Sequence, residues 1–335
     1  MGRFLRLLRG MDTKKMRQKA HECAGKSGKP FLVIFLDMVW CGFRYSAGYS
    51  DYALYEMWTM TGAQRKTVLT RGKNNRYVAA LNSRDGWHSF DKKAEFLQKF
   101  APFIHRKWLN LEKSTALELE EFGKGLEDFI VKPEDGTHGQ DIEKIITAEV
   151  TDWPALYEKL KKNGQTLCEE RIKQHPDLDK IWPGSINTVR IATILKDGKG
   201  QVVEAYLRVG NGPRPVDNFN SGGMVVPLDK KTGTILQPAL DKLGHLYENH
   251  PATGTKFQGT VVPNWGEVLQ FVAEAAAVEP AVRYVGWDVA VTPTGVDMVE
   301  GNHFPGHDIY GLPGHTPDKI GVLPDFEAII PLKDL

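Results

Sequence analysis

The stretch from Gly286 to Asn302 constrains the fold more than any other part of the chain. Val289-Ala290-Val291 and Val296-Asp297-Met298-Val299 flank Thr292-Pro293-Thr294-Gly295, a four-residue turn candidate with proline second and glycine fourth. The pattern predicts a β-hairpin. With the turn centred on Thr294, Asp288 and Glu300 face each other across two antiparallel strands, and alternation puts Asn302 on the face of Glu300. Two carboxylates and a carboxamide, all hard oxygen donors, then converge on one patch. Such a set suits Mg²⁺ beside substrate phosphates. A charged hairpin edge facing solvent is the competing reading; Asp288, the spacing and the following Pro305-Gly306 favour a metal–nucleotide site. His303, His307 and His315 lie nearby without the spacing of a helical zinc pair, so zinc is not favoured.

A chain of 335 residues exceeds one ordinary domain and suits two or three lobes. Its 41% hydrophobic and 25% charged residues are those of a soluble globular protein, and a net charge of +1 gives no global argument for nucleic acid. Three widely spaced cysteines, Cys23, Cys41 and Cys168, form neither a disulfide framework nor a zinc cluster, which suits a reducing cytoplasm. No run of eighteen apolar residues predicts a transmembrane helix, and the apolar stretch at the start is too short for a signal peptide. Arg3, Arg6, Arg9, Lys14, Lys15, Arg17 and Lys19 make the N-terminus basic and amphipathic. It suits contact with a membrane surface or an acidic envelope-synthesis partner, but a solvated helix face is the plainer reading. The oligomeric state is left open.

Residues 1–30 look helical and stop at the Gly25-Lys26-Ser27-Gly28-Lys29-Pro30 breaker. Residues 31–36 are an apolar run that suits a buried strand or the start of a helix. Tyr49, Tyr52, Tyr55 and Trp58 recur at helical spacing and read as a core face, whereas residues 70–76 read as a polar, basic break. Helical spacing returns over residues 91–111. Strands are predicted over 127–131 and 142–150, then a helix over 154–162 capped by Asp152 and ended by Gly164. Residues 167–172, 187–195 and 202–209 alternate as strands, and 263–277 is the clearest helix. This mixed order implies α+β or α/β architecture with an antiparallel sheet around the site.

Other segments carry candidate chemistry. Lys132 ends an apolar strand, and the loop after it has two glycines three apart, Gly136 and Gly139, whose backbone N–H groups can approach phosphate oxygens without Cβ interference. A plain hairpin turn accounts for that loop equally well. Leu167-Cys168-Glu169-Glu170-Arg171-Ile172 can run past an adenine and offer a carboxylate to ribose hydroxyls, or can be a strand end with solvated charges. Asn187 and Arg190 stand at the entrance of another strand, where an arginine is either a structural ion pair or a bidentate grip on carboxylate or phosphate. Residues 217–223 suit a cleft lining or an Asx-rich turn.

Together these motifs resemble the ATP-grasp superfamily. Asp288…Glu300-x-Asn302-x-x-Pro305-Gly306 resembles its magnesium motif. Asp91-Lys92 resembles the first ATP-contacting lysine, Val131-Lys132-Pro133 the second, and residues 134–140 the mobile loop over the phosphates. Glu169-Glu170-Arg171-Ile172 resembles the hinge that holds adenine and ribose. More narrowly, Leu36-Asp37-Met38, Arg44-Tyr45, Gly48-Tyr49, Asp51-Tyr52, Thr70-Arg71-Gly72-Lys73-Asn74-Asn75, Ser185-Ile186-Asn187-Thr188-Val189-Arg190 and residues 216–223 are similar to one branch, the sugar-transfer-associated, α-L-glutamate-ligase-related group. The resemblance implies an α+β ATP-grasp fold, two α+β lobes clamping ATP, with an N-terminal α/β pre-domain. Residues 1–90 would form the N-terminal region and 91–335 the ATP-grasp domain, with its central lobe at 91–168 and its C-terminal lobe at 169–335. Two departures stand out: His138 in the lid loop, and Gly286 where some ligases carry an arginine.

The resemblance also implies an ADP-forming carboxylate–amine or carboxylate–thiol ligase that works through an acyl phosphate, in polysaccharide, envelope or secondary-metabolite modification. Its metal, Mg²⁺ or Mn²⁺, would sit on Asp288, Glu300 and Asn302. ATP would contact Lys92, Lys132, Glu134, Gly136, Thr137, Gly139, Glu169, Glu170 and Ile172, and Arg190 would act in catalysis with Asn187 nearby. A small-molecule carboxylate and an amine are the implied partners. A small-molecule kinase and a non-catalytic ATP-binding scaffold are the competing classes.

Overall fold

The computed structural model describes residues 12–134, 142–212, 217, 219 and 222–335. The chain divides into two compact units, Met1–Ala80 with Gly306–Leu335, and Leu81–Pro305. The division therefore differs from one at residue 90, because the C-terminal residues 306–335 group with the N-terminal ones.

Among its described residues the first unit is helical, where the resemblance implied an α/β pre-domain. The apolar run at 31–36 continues as the helix Phe31–Tyr45, because Ile34, Met38, Cys41 and Tyr45 recur at helical spacing and bury one face. It shares a core with the helix Thr13–Ser27, which buries Met16, Ala20 and Cys23 and stops at Gly28 with a φ of 68°. Tyr52, Tyr55 and Trp58 complete that core, as their spacing predicts.

Residues 70–76 are not a break but belong largely to the helix Arg71–Leu81. Their polar side chains are used inward: Lys73 donates to the carbonyls of Lys66 and Val68, and Thr70 Oγ1 to that of Tyr45. Burial lowers the Lys73 ammonium to about 8. Asp51 accepts from the amides of Gly48 and Arg71 and pairs with His307 Nε2 at 2.8 Å. A pattern read for exposure cannot register polar groups that point into a core.

The second unit holds two antiparallel sheets. The smaller contains β1 (Trp108–Asn110), β2 (Asp128–Lys132), β3 (Glu143–Ile146) and β4 (Leu167–Glu170) in the order β1-β4-β2-β3. The larger contains β5 (Val189–Lys196), β6 (Lys199–Val209), β7 (Met224–Pro227), β8 (Ala239–Asp241), β9 (Leu246–Tyr247), β10 (Tyr284–Thr292) and β11 (Gly295–Asn302). Its order is β11-β10-β5-β6-β7-β8-β9. The α+β class holds. The helix predicted over 91–111 is confined to Lys93–Lys99; Pro102 ends regular helix, and Trp108–Asn110 pairs with β4 instead. Residues 142–150 form the short β3 and then a 3₁₀ turn, Thr147–Glu149. The helix Trp153–Lys162, capped by Asp152 on the Ala155 amide, lies where expected, as does Trp265–Ala275. The latter sends Trp265, Val268, Val272 and Ala275 into the main core. No helix among the described residues is long and apolar enough to cross a membrane.

Arg106 joins the two sheets. Its buried guanidinium donates from Nε to Glu169 on β4 at 2.7 Å, and from Nη1 to Asp297 at 2.9 Å and the Met298 carbonyl at 2.6 Å, both on β11. Glu169 also receives Lys132 Nζ at 2.5 Å. Burial disfavours charge on Glu169, but Arg106 and Lys132 outweigh it and hold the carboxyl at about 2. Removing Arg106 leaves two carboxylates buried without their shared cation, so Arg106→Ala should cost about 3–5 kcal/mol, read as a lower urea midpoint. The pH sign follows from the depressed carboxyl. Its contribution is present above the ordinary 4.5 and is lost as pH falls toward about 2. Arg106→Ala should flatten that acid limb, and an unchanged midpoint would show that the cluster stabilises nothing.

Candidate active site

Four adjacent strands, β11, β10, β5 and β6, carry the site. The register sets Asp288 opposite both Glu300 and Arg190. Directly paired residues share a face, so Glu300, Asp288 and Arg190 form a row across the strands. Arg208 extends it, two residues beyond Tyr206, the partner of Arg190 on β6. Arg190 grips Asp288 bidentately, Nε on Oδ1 and Nη2 on Oδ2, the second at 2.8 Å. Arg208 Nη2 lies 3.0 Å from Asp288 Oδ2 and 3.1 Å from Asp217 Oδ1. Asp217 also accepts from the Thr188 amide and hydroxyl. The row thus reads acid, acid, cation, cation.

This register depends on a bulge. The hairpin closes on Pro293-Thr294, between the paired Thr292 and Gly295, slightly before the centre predicted at Thr294. Regular pairing from that turn would set Asp288 opposite Val299 and send Glu300 to the other face. Val299 is instead an extra residue on β11, which restores Asp288 to Glu300 and sets Gly286 opposite Asn302. Gly301, between the two donors, faces the core, where a Cβ would lie 2.8–2.9 Å from the rings of Phe96, Phe90 and Trp287. Only glycine lets the strand lie flat on those aromatics. On the site face, a Cβ at Gly286 would lie 3.6 Å from Arg190 Nη1. The Arg190 guanidinium, from β5, lies beside that position.

Asp288 is buried, which works against its charge, but Arg190 and Arg208 hold its carboxyl below the ordinary carboxylate range. Glu300 moves the other way. The protein around it and the neighbouring Asp288 charge push its carboxyl up to about 7. Its side chain still reaches solvent, which works against the burial part, so the upward direction rests chiefly on the adjacent carboxylate. Asn302 Oδ1 accepts from the Phe304 amide at 2.8 Å and keeps a second lone pair. Among the described residues no three His, Cys, Asp or Glu side chains form a metal cage. Asp288, Glu300 and Asn302 offer two carboxylates and a carboxamide oxygen, a set that would fit a hard dication with further ligand positions left for phosphate or water. His303 pairs with Asp91 at 2.8 Å and stacks on Trp87.

The nucleotide candidates are distributed as follows. Lys132 closes β2 and is paired with Glu169, whose carboxylate is thereby occupied by Lys132 and Arg106. Glu170 accepts from the Lys107 amide at 3.1 Å, and Ile172 is half-buried just beyond β4. Lys92 is exposed; its neighbour Lys93 donates to the carbonyls of Pro133 and Glu134, at 2.9 and 3.0 Å, tying the helix Lys93–Lys99 to the end of β2. Gly136, Thr137 and Gly139 lie outside the described residues. Asn187 is fully buried, and its Nδ2 donates to Gln174 Oε1 and to the carbonyls of Leu178 and Trp182. Its Nδ2 group thereby positions the segment before β5, while its Oδ1 is buried without a hydrogen-bond partner among the described residues.

Sequence reasoning missed Arg208, Arg106 and Lys93. Arg208 had a signal, since it is the lone charge in the alternating run Tyr206-Leu207-Arg208-Val209. Arg106 had none, because His105-Arg106-Lys107 reads as a solvated basic turn.

The family described as "Sugar-transfer associated ATP-grasp" matches residues 72–316. The chain belongs to this family. Among solved structures, the ATP-grasp ligase PsnB, complexed with a minimal precursor, Mg and ADP, is 16% identical with a TM-score of 0.43, covering 82% of this chain and 70% of PsnB. D-cycloserine synthetase DcsG is 13% identical at 0.40, covering 72% of this chain and 70% of its own. D-alanyl-alanine synthetase A from Vibrio cholerae is 16% identical at 0.38, covering 72% and 61%. No curated protein matches the chain. The α+β unit of this ATP-grasp protein, with its charged row, thus has the fold implied by its motifs.

A dication entering the row must displace the proton that Glu300 retains below about 7. Mg²⁺ affinity, measured calorimetrically, should therefore rise with pH up to about 7 and level off above, with about one proton released per ion. Affinity that stayed flat across that range would remove Glu300 from the metal set.

Proposed function

We propose that this ATP-grasp chain is an ATP- and Mg²⁺-dependent ligase that joins a carboxylate to an amine through an acyl phosphate and releases ADP. The carrying observation is the row Glu300, Asp288, Arg190 and Arg208, which sets hard oxygen donors beside two fixed guanidiniums on one face of the sheet. Donors of that kind suit polyphosphate with its metal, and the guanidiniums suit the anions formed in acyl transfer. Mn²⁺ would be accepted by the same donors. The family description favours an acceptor from sugar-transfer chemistry. The cysteines, all free and buried, suit a reducing cytoplasm.

A carboxylate is a poor acyl donor until one oxygen becomes a leaving group. Its oxygen attacks the γ-phosphorus, the bond to the β–γ bridging oxygen breaks, and ADP leaves with that electron pair. The amine then adds to the acyl carbon, loses a proton, and phosphate departs. Phosphoryl transfer of this kind needs alignment and charge compensation more than covalent help. Mg²⁺ held by Asp288, Glu300 and Asn302 supplies charge neutralisation for the phosphate oxygens. The remaining work falls to side chains. Arg190, oriented by its two bonds to Asp288, presents Nη1 on the Gly286 side, where it stabilises the acyl phosphate and the later oxyanion. Arg208 does the same from β6 and ties the Asp217 loop to the row. Lys132, held by Glu169, and Lys92 and Lys93 at the start of their helix bring cations for the α- and β-phosphates.

The test is an ATP-dependent phosphate-release screen over amino acids, amino sugars and sugar acids. One acid–amine pair should release phosphate with amide formation. Asp288→Asn and Arg208→Met should each lower that turnover about 10²-fold or more. Full activity in Asp288→Asn would overturn the metal assignment, and ADP with a stable phosphorylated product and no amide would mark a kinase.

A further inference from the structure

The helix Phe31–Tyr45 buries Ile34, Met38, Cys41 and Tyr45, yet its opposite side is also apolar. Leu32, Val33, Leu36 and Trp40 are 63%, 52%, 59% and 56% exposed. Residues 32, 36 and 40 lie one turn apart and form a stripe along the helix. A helix that is apolar all round belongs in a core or against an apolar phase, and an exposed stripe of this kind marks an interaction face.

Charge shows what kind of face. The helix Thr13–Ser27, packed on the inner side of Phe31–Tyr45, exposes Lys14, Lys15, Arg17 and Lys26, and Arg44 stands one turn beyond Trp40. The acids of the same segment are already engaged. Asp12 caps the first helix and lies 3.5 Å from Lys15 Nζ, Glu22 pairs with Lys19 at 2.6 Å, and Asp37 is gripped by Arg65 at 2.7 and 2.6 Å, which leaves Lys14, Arg17, Lys26 and Arg44 in excess. The asymmetry runs through the sequence: the first 45 residues hold ten Lys and Arg against three Asp and Glu, the remainder 33 against 39. Phe31–Tyr45 has 15 residues, too short to span a bilayer, which takes about 20. An apolar stripe that includes a tryptophan, on a helical pair with a strong excess of exposed cations, has the chemistry of a helix lying in the headgroup region.

We infer that this helical layer docks on an anionic lipid surface, with Leu32, Val33, Leu36 and Trp40 entering the headgroup–acyl boundary and the Lys14, Lys15 and Arg17 group on the lipid phosphates. The inference does not depend on the ligase reading. The full chain is sedimented with vesicles of phosphatidylcholine alone, and with about 30 mol% phosphatidylglycerol added. Binding should be about tenfold or more tighter to the anionic vesicles and should weaken with salt. Leu36→Glu and Trp40→Glu should each lower vesicle binding about tenfold, with unchanged circular dichroism and Mg²⁺ affinity; Trp40→Phe should retain it. Lys14, Lys15 and Arg17 changed together to Glu should abolish the anionic preference. Absence of vesicle binding by the parent, or full binding by Leu36→Glu and Trp40→Glu, overturns the inference. So does a parent that is dimeric by ultracentrifugation, ignores vesicles and becomes monomeric in Trp40→Glu, since the face would then join two copies of the chain.

Discussion

The Arg106 guanidinium sits where the small sheet meets the strand that carries Glu300 and Asn302, and the site inherits its geometry from that contact. A bulge frees backbone groups that the ladder would otherwise pair, and a freed carbonyl in a low-dielectric interior needs a donor. Arg106 supplies it to Met298 and, at 3.4 Å, to Val299, the bulged residue itself. The same side chain holds Glu169, and Glu169 holds Lys132. One buried cation therefore ties the strand that carries Glu300 and Asn302 to the strand that ends in Lys132. Such a cluster is a poor source of net stability, because desolvating the ions offsets much of their attraction. Its value lies in specification: an apolar replacement could fill the space but could not hold a bulge at one residue and a lysine at another.

The row on β11, β10, β5 and β6 follows a different logic. Its two carboxylates and two guanidiniums balance formally, yet the charges are not shared evenly. Asp288 takes both arginines, and Glu300 is left beside a negative neighbour. That asymmetry separates two like residues: the arginines favour the ionised form of Asp288, and the neighbouring charge favours the protonated form of Glu300. Tethering both guanidiniums to one carboxylate also fixes their planes. A cation held in place in this way needs little reorganisation, which is what electrostatic stabilisation of phosphoryl and acyl transfer requires.

Much of this was legible in the chain because the second unit obeys the periodicities that sequences display. The hairpin, the capped helix Trp153–Lys162 and the strands entering Lys132, Glu169 and Arg190 all follow from alternation, caps and breakers. What escaped was not periodic. The bulge at Val299 has no sequence marker, since valine suits the regular strand as well as the irregular one. Arg106 and Lys93 act through long-range partners, Asp297 and the carbonyls of Pro133 and Glu134, and their neighbours in sequence only make them look solvated. Glu169 and Asn187 were found as residues, but their protein partners were not legible: Glu169 takes Arg106 and Lys132, and the Asn187 Nδ2 group takes Gln174 and two carbonyls.

The first unit fails the same reading more deeply, and the failure is informative. Hydropathy assumes that polar groups face water and apolar groups do not. Here Asp51, Thr70 and Lys73 are inside, spent largely on backbone groups of neighbouring segments, while Leu32, Leu36 and Trp40 are outside. The internal polar groups have a structural account, because they pin loops that regular secondary structure leaves unpaired. The external apolar groups have none within this unit, where the buried side of Phe31–Tyr45 already anchors the helix to its core. Selection for stability alone would place polar residues on that outer stripe, since solubility gains from them and the core loses nothing. An exposed apolar stripe of this kind marks an interaction face, and the basic excess of the first 45 residues is what favours an anionic partner for it.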